Sequence, residues 1–134
     1  MSKPRIAVID DDAVFVELMV DLLANGEGYE VVSNAQAADS FEFIKQEQPD
    51  LVILDLMMGR EETGWAVLDL LAAEPTTAEI PVILCTAAAP ALRDNAKRLV
   101  NSRVIASINK PFDVDDLLDL IDRLLAQRSG NPVP

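Results

Sequence analysis

Four short apolar segments recur along the chain. They are rich in valine and isoleucine, and their apolar residues are continuous rather than alternating with polar ones. Strands that are buried on both faces of a parallel sheet have this pattern. A fifth, weaker run follows the turn-like sequence Asn25–Gly28. The five predicted strands are Arg5–Ile9, Tyr29–Ser33, Leu51–Leu54, Pro81–Cys85 and Val104–Ile108.

The segments between the strands carry apolar residues at helical spacing. After the first strand, apolar residues recur every four positions between Val14 and Leu23, and Asp12 is placed to cap the helix. The last helix has the clearest apolar stripe, from Val114 to Leu125, behind an acidic first turn that suits the helix dipole. The other predicted helices lie near Ala37–Gln46, Trp65–Leu71 and Leu92–Leu99.

Strands therefore alternate with helices along the whole chain. Such alternation predicts right-handed crossovers and a doubly wound α/β fold, with helices on both faces of one parallel sheet. At 134 residues the chain has the length of one domain. We expect a single domain over residues 1–128 and a flexible tail over residues 129–134.

The charge balance narrows the range of functions. The chain has 11 lysines and arginines against 23 acidic residues, a net charge of −12, which disfavours nucleic acids and anionic membranes as partners. It contains no histidine and one cysteine, Cys85, which we interpret, like Trp65, as a core residue. Catalysis by a histidine of this chain, histidine-ligated metals and zinc clusters are therefore excluded. Neither a signal peptide nor an apolar run of membrane-spanning length is visible, so we expect a soluble, cytoplasmic protein.

Polar residues follow four of the predicted strands, and these strand ends are the candidate site. The first strand ends in Asp10–Asp12, the third in Asp55, the fourth in Thr86 and the fifth in Asn109–Pro111. Open α/β sheets bind ligands at the carboxyl ends of their strands, where the strand order changes direction. In a 2-1-3-4-5 order the first and third strands are neighbours, so their carboxylates would converge and favour a cation. Oxygen ligands indicate Mg²⁺, and a lysine and a hydroxyl nearby suit phosphoryl chemistry.

Four motifs at these strand ends carry a family resemblance. They are VIDDDAV (Val8–Val14), PDLVILDLMM (Pro49–Met58), PVILCTA (Pro81–Ala87) and NKPF (Asn109–Phe112). With these motifs in this order, the chain resembles a receiver domain of two-component response regulators from about Arg5 to about Ala126. The resemblance implies a flavodoxin-like (βα)5 fold with strand order 2-1-3-4-5.

The resemblance also implies a role for each acidic residue. Asp55 would be the phosphoacceptor, which takes a phosphoryl group from a histidine of another protein. Asp10 and Asp11 would bind Mg²⁺ together with Asp55 and the backbone carbonyl of Met57, and Mn²⁺ is the alternative cation. Asp12 is interpreted separately, as the helix N-cap.

Further residues would contact the phosphoryl group and couple phosphorylation to a change in the protein's conformation. The resemblance assigns Thr86, the backbone amide of Ala87 and Lys110 to the phosphoryl oxygens. It also implies a cis peptide bond between Lys110 and Pro111.

The resemblance implies a signalling protein rather than an enzyme, with no catalysis beyond its own phosphotransfer and dephosphorylation. We expect a stand-alone receiver, monomeric or weakly dimeric, without an attached output module. Its phosphoryl donor would be a sensor histidine kinase or a histidine phosphotransfer protein. Its output would pass to a downstream protein through the face of the fourth predicted helix, the fifth strand and the last helix (the α4–β5–α5 face).

The chain departs from the family pattern at three places. The loop after Asp55 has Gly59 where a proline is usual in the family, and it is one residue longer. The Gly59–Thr63 segment would therefore alter the geometry of the metal site or the choice of partner. Ser107 occupies a switch position that is usually aromatic, which puts activation by ring rotation in doubt. Met57 and Ala88 are apolar at positions that often tune phosphoryl lifetime, and they predict slow self-dephosphorylation.

Two other functions remain open from the sequence. The first is a degenerate receiver that acts as a phosphorylation-independent interaction module. The second is an aspartyl phosphatase of the haloacid dehalogenase type, with Asp10 as nucleophile and Asp12 as the second acid of its motif. The identity of the nucleophile, Asp10 or Asp55, separates the phosphatase from the receiver.

Overall fold

A computed structural model describes residues 3–36, 39–55, 61–86, 104–109 and 112–128. Its strands are β1 (Arg5–Ile9), β2 (Glu30–Asn34), β3 (Leu51–Leu54), β4 (Val82–Thr86) and β5 (Val104–Asn109). Its helices are α1 (Ala13–Val20), α2 (Ser40–Glu47), α3 (Glu61–Ala73) and the C-terminal helix (Val114–Arg128). A π-helical segment, Asp21–Gly26, continues α1. The helix predicted near Leu92–Leu99 and the tail over residues 129–134 lie outside the described residues.

The strands form one parallel sheet in the order β2-β1-β3-β4-β5. The predicted doubly wound fold and its strand order are therefore confirmed. β1 and β3 are neighbouring interior strands, and every residue of β3 is buried. One irregularity occurs on the β5 side, where Val82 pairs with Val104 but Ile83 pairs with Ala106, so one residue of β5 is left out of the register.

Two hydrophobic cores lie on opposite faces of the sheet, because successive strand side chains point to opposite sides. On one face, alternate residues of β1, β3 and β4 pack against Ile44 of α2 and Trp65, Leu68 and Leu71 of α3. On the other face, the remaining strand residues, Cys85 among them, pack against α1 and the C-terminal helix. Cys85 is fully buried and Trp65 is 2% exposed, which confirms both as core residues.

Of the two apolar rows on α1, one is buried and the other is not. Phe15, Met19 and Leu23 pack into the core, whereas Val14 and Leu18 are 74% and 57% exposed. The helical prediction was right, but the spacing did not distinguish the row that faces the sheet from the row that faces outward.

Two other helices begin elsewhere than predicted. α2 begins at Ser40 rather than near Ala37, and the buried Ser40 hydroxyl donates to the carbonyl of Gln36 (2.7 Å). α3 begins at Glu61, so Gly64 lies inside the helix instead of preceding it. Within the part of the chain that the structure describes, no helix combines the length and apolar character needed to cross a membrane.

Candidate functional site

Backbone hydrogen bonds align the carboxyl ends of β2, β1 and β3 at one edge of the sheet. The Asp10 amide donates to the carbonyl of Asn34 at the end of β2 (3.2 Å), and the Asp55 amide donates to the carbonyl of Ile9 at the end of β1 (3.0 Å). Asp10 and Asp55 are thus each the first residue beyond a central strand, fixed by the neighbouring strand. The register of the sheet therefore brings their side chains to the same edge.

Three carboxylates meet at this edge. One oxygen each from Asp10, Asp11 and Asp55 lies within 4.8 Å of the others. Asp10 is 1% exposed and Asp55 is 8% exposed, while Asp11 is exposed to solvent. The sequence predicted this convergence, and the structure brings all three residues together.

Asp12 belongs to the helix beside this cluster rather than to the cluster itself. Its carboxylate accepts hydrogen bonds from the amides of Val14 (3.0 Å) and Phe15 (3.2 Å), which makes it the N-cap of α1, as predicted. Its own amide donates to Oδ1 of Asp10 (2.9 Å). The start of α1 therefore orients the Asp10 carboxylate as well as capping the helix.

The donor set fits a hard divalent cation. Like charges about 4 Å apart repel by ~4 kcal/mol at an effective dielectric of about 20, so three carboxylates this close are mutually destabilising when ionised. A cation that accepts oxygen ligands removes that repulsion. Mg²⁺ uses one or two carboxylates and retains several waters, which suits a cluster with two buried members and one exposed member. Asp10, Asp11 and Asp55 would hold it.

Other predicted site residues are placed only in part. Thr86 is the last residue of β4, paired with Asn109 of β5, and its side chain lies outside the described residues. Ser107 lies on β5 opposite Leu84 and is exposed. Met57, Ala87, Lys110 and Pro111 lie outside the described residues, and so does the first part of the Gly59–Thr63 loop.

The sequence analysis missed one residue at this edge, Asn34. β2 ends at Asn34, one residue beyond the predicted strand, and the Asn34 carbonyl accepts the Asp10 amide. An asparagine after an apolar run is a common turn signal, and its position after the second strand could have placed it at the same edge as Asp10.

The chain is similar in sequence to known proteins along most of its length. The family model of the response regulator receiver domain matches residues 6–122. The DNA-binding dual master transcriptional regulator RpaA of Synechocystis is 33% identical over 129 residues, which are 96% of this chain and 52% of that protein. Protein Rrf1 of Nitratidesulfovibrio vulgaris is 29% identical over 122 residues, 91% of this chain and 83% of that protein. The chain spans about half the length of the first curated relatives it matches.

A solved structure agrees with the observed fold. The response regulator receiver domain protein (CheY-like) from Methanospirillum hungatei superposes with a TM-score of 0.82 at 27% identity. The match covers 96% of this chain and 98% of that one. Sequence and fold thus agree over nearly the full length, and the chain belongs to the response regulator receiver domain family of two-component signalling.

Proposed function

We propose that this chain is a phosphorylation-activated receiver whose phosphoacceptor is Asp55. The observation that carries the proposal is the convergence of Asp10, Asp11 and Asp55 at the carboxyl edge of the sheet. Such a cluster at a strand-order switch point is suited to binding a cation and, through it, an anionic group. Mg²⁺, or Mn²⁺ in its place, would supply charge neutralisation for the phosphoryl oxygens.

The proposed reaction is phosphoryl transfer from a phosphohistidine of another protein. An oxygen of the Asp55 carboxylate attacks the phosphorus, a new P–O bond forms, and the P–N bond to the imidazole breaks. The imidazole leaves with the electron pair of that bond. The backbone of Asp55 is fixed by its bond to Ile9, so the nucleophile meets the donor in one position. Thr86, Lys110 and the amide of Ala87 are the proposed partners of the phosphoryl oxygens.

The environment of Asp12 supports Asp55 rather than Asp10 as the nucleophile. In the phosphatase alternative, Asp12 would have to direct its carboxylate at the reacting group. Both hydrogen bonds of that carboxylate instead go to the first amides of α1, at 3.0 and 3.2 Å. The Asp10 carboxylate is 1% exposed and accepts the Asp12 amide, which suits a metal ligand with a fixed orientation.

The product of this reaction would be an altered protein surface. Phosphorylation adds roughly −1.5 to −2 charges to a chain of net charge −12 and shifts a two-state equilibrium of the loops around the site. The donor would be a sensor histidine kinase or a histidine phosphotransfer protein in the cytoplasm, and the output would be a protein that recognises the shifted surface. Since Ser107 has no ring to rotate, the switch would use Thr86 and the adjacent loops.

Intact-mass spectrometry after incubation with acetyl phosphate and Mg²⁺ tests the proposal. We expect one phosphoryl group on the wild-type protein, stable in acid and released by hydroxylamine, as for an acyl phosphate. The adduct should be absent from Asp55→Asn and absent when the cation is chelated.

Asp10→Asn separates the two possible nucleophiles. If an adduct survives in Asp55→Asn but disappears in Asp10→Asn, the phosphatase alternative replaces the receiver. Some receivers ignore small donors, so a negative result calls for the same assay with phosphorylated histidine kinases. Failure with both kinds of donor would leave the chain as a binding module.

A further inference from the structure

The Asn34 side chain forms hydrogen bonds with two residues that follow β2, Gln36 and Asp39. The Asn34 carbonyl oxygen Oδ1 accepts the amide of Gln36 (2.8 Å), and its Nδ2 donates to Oδ1 of Asp39 just before α2 (3.0 Å). The Ser40 hydroxyl adds a third bond, to the backbone carbonyl of Gln36 (2.7 Å). Both ends of the Asn34 amide group are therefore used within the turn.

The backbone of the same residue reaches the acidic cluster. The Asn34 carbonyl is the acceptor of the Asp10 amide (3.2 Å), one step beyond the last register pair of β1 and β2, Ile9 with Asn34. β2 is an edge strand, so this part of the site has no further strand to support it. On the β2 side, the Asn34 carbonyl therefore fixes the Asp10 amide.

We propose that Asn34 is a positioning residue for the metal ligand Asp10, an inference that rests on the proposed Mg²⁺ site. The hydrogen bonds of the Asn34 side chain to Gln36 and Asp39 restrict the backbone at Asn34. This restriction orients the Asn34 carbonyl, which accepts the hydrogen bond of the Asp10 amide. The Asp12 amide then holds the Asp10 carboxylate from the helix side. Asp10 is therefore held from β2 and from α1. Loss of the Asn34 side chain weakens the first of these supports, because the residue that carries the carbonyl is less firmly held.

Groups that orient a metal ligand affect metal affinity without touching the metal. Asn34→Ala keeps the backbone carbonyl but removes both side-chain hydrogen bonds. The hydrogen bond from the Asp10 amide to that carbonyl should therefore break more often. We expect hydrogen exchange of the Asp10 amide, followed by NMR without metal, to accelerate roughly tenfold. We expect the Kd for Mg²⁺, measured by isothermal titration calorimetry, to rise roughly threefold to tenfold, at or below the low end of effects seen for residues that contact a metal ligand directly.

Asn25→Ala is the matched control. The Asn25 Nδ2 donates to Asp21 Oδ1 (2.9 Å), the same amide-to-carboxylate bond, in the π-helical segment at the other end of α1. Its removal should leave both the Asp10 amide exchange and the Kd for Mg²⁺ within twofold of wild type.

A second pair of variants covers the case in which Asn34→Ala does not fold. Asp39→Asn and Asp39→Ala remove the same charge from an exposed residue, but only Asp39→Ala removes the acceptor for Asn34. Asp39→Ala should bind Mg²⁺ more weakly than Asp39→Asn and exchange the Asp10 amide faster.

The proposal is overturned if Asn34→Ala folds and binds Mg²⁺ within twofold of wild type, or if Asn25→Ala weakens binding as much. Equal affinities and exchange rates for the two Asp39 variants would overturn it as well. Absence of Mg²⁺ binding to the wild-type protein is a different result, because it would refute the proposed metal site itself.

Discussion

The C-terminus of α2 is capped by Gln48, whose backbone conformation is one that residues other than glycine usually avoid. Its φ is +46°, in the left-handed region, and its amide donates to the carbonyl of Ile44 (2.9 Å). The Gln48 side chain partly offsets the strain by donating to the carbonyl of Lys45 (2.9 Å). Glycine adopts this conformation without strain, at the cost of that side-chain bond.

We expect Gln48→Gly to raise the free energy of unfolding by about 0.5–1 kcal/mol, because relief of the left-handed strain outweighs one exposed hydrogen bond. Gln48→Ala keeps the strain and loses the bond, so it should lower stability. Urea denaturation of the two variants checks the prediction, and a Gln48→Gly protein less stable than Gln48→Ala would contradict it.

Asp12 caps α1 with its carboxylate, and the contributions of its capping hydrogen bonds and of its charge to stability can be separated. Asparagine is as good an N-cap as aspartate, whereas alanine provides no acceptor. Asp12→Ala should lower the free energy of unfolding by about 1 kcal/mol, and Asp12→Asn should stay within a few tenths of wild type. Thermal and urea unfolding would measure both. Equal losses for the two variants would show that the charge of Asp12, not its capping bonds, stabilises the start of α1.

At the scale of elements, Tyr29 joins the start of β2 to the C-terminal helix. Its hydroxyl donates to Oδ1 of Asp122, 93 positions away in sequence. Burial, the hydrogen bond to Asp122 and the charges of Asp122 and Glu27 raise the pKa of Tyr29 above its ordinary range. The folded protein therefore keeps this proton at pH values at which the unfolded chain has lost it.

Stability should accordingly fall as pH rises above about 10, the ordinary pKa of tyrosine, because the unfolded state then binds fewer protons than the folded state. Below that pH both states are protonated and this contribution is constant. Tyr29→Phe removes the group, so the difference in free energy of unfolding between wild type and variant should shrink from pH 9 to pH 11. Urea denaturation across that range measures it, and a constant difference would contradict the assignment.

The two rows of α1 show where sequence patterns stop being informative. Both rows are apolar and both have helical spacing, so periodicity predicts the helix but cannot select its buried side. Met19→Ala should cost about 2–5 kcal/mol, as is usual for a large core residue, whereas Leu18→Gln should change stability by less than about 0.5 kcal/mol. Urea denaturation compares them, and similar costs would mean that Leu18 is also covered in solution.

The boundaries that the sequence predicted poorly are those decided by local hydrogen bonds. α2 begins at Ser40, beside the bonds that tie Asn34, Gln36 and Asp39 together, and apolar spacing carries no information on such bonds. The π-helical segment after α1 also follows from packing, because it buries Leu23 and brings its carbonyl to the Tyr29 amide (3.0 Å). The strands were easier to predict, since short continuous runs of valine and isoleucine flanked by turn residues are typical of buried strands.

At the scale of the whole molecule, the sheet register assembles the site. The strand order makes β1 and β3 neighbours, and residues 45 positions apart in sequence, Asp10 and Asp55, therefore meet at one edge. The acidic cluster was predictable because strand ends and strand order can be inferred from pattern and family resemblance. The support from Asn34 was not, since it depends on how the turn after β2 closes.

The same cluster should make the stability of the whole protein depend on Mg²⁺. Without a cation, Asp10→Asn removes repulsion among three carboxylates and keeps an oxygen that can accept the Asp12 amide, so it should raise the free energy of unfolding by about 1 kcal/mol. With Mg²⁺ at about 100 times its Kd, the wild type should gain roughly 2.7 kcal/mol while the variant gains much less. Urea denaturation of both proteins in EDTA and in Mg²⁺ tests this reversal of order. If Asp10→Asn is the less stable protein in EDTA, repulsion among the three carboxylates is not the main effect of the Asp10 charge on stability, which would contradict the prediction.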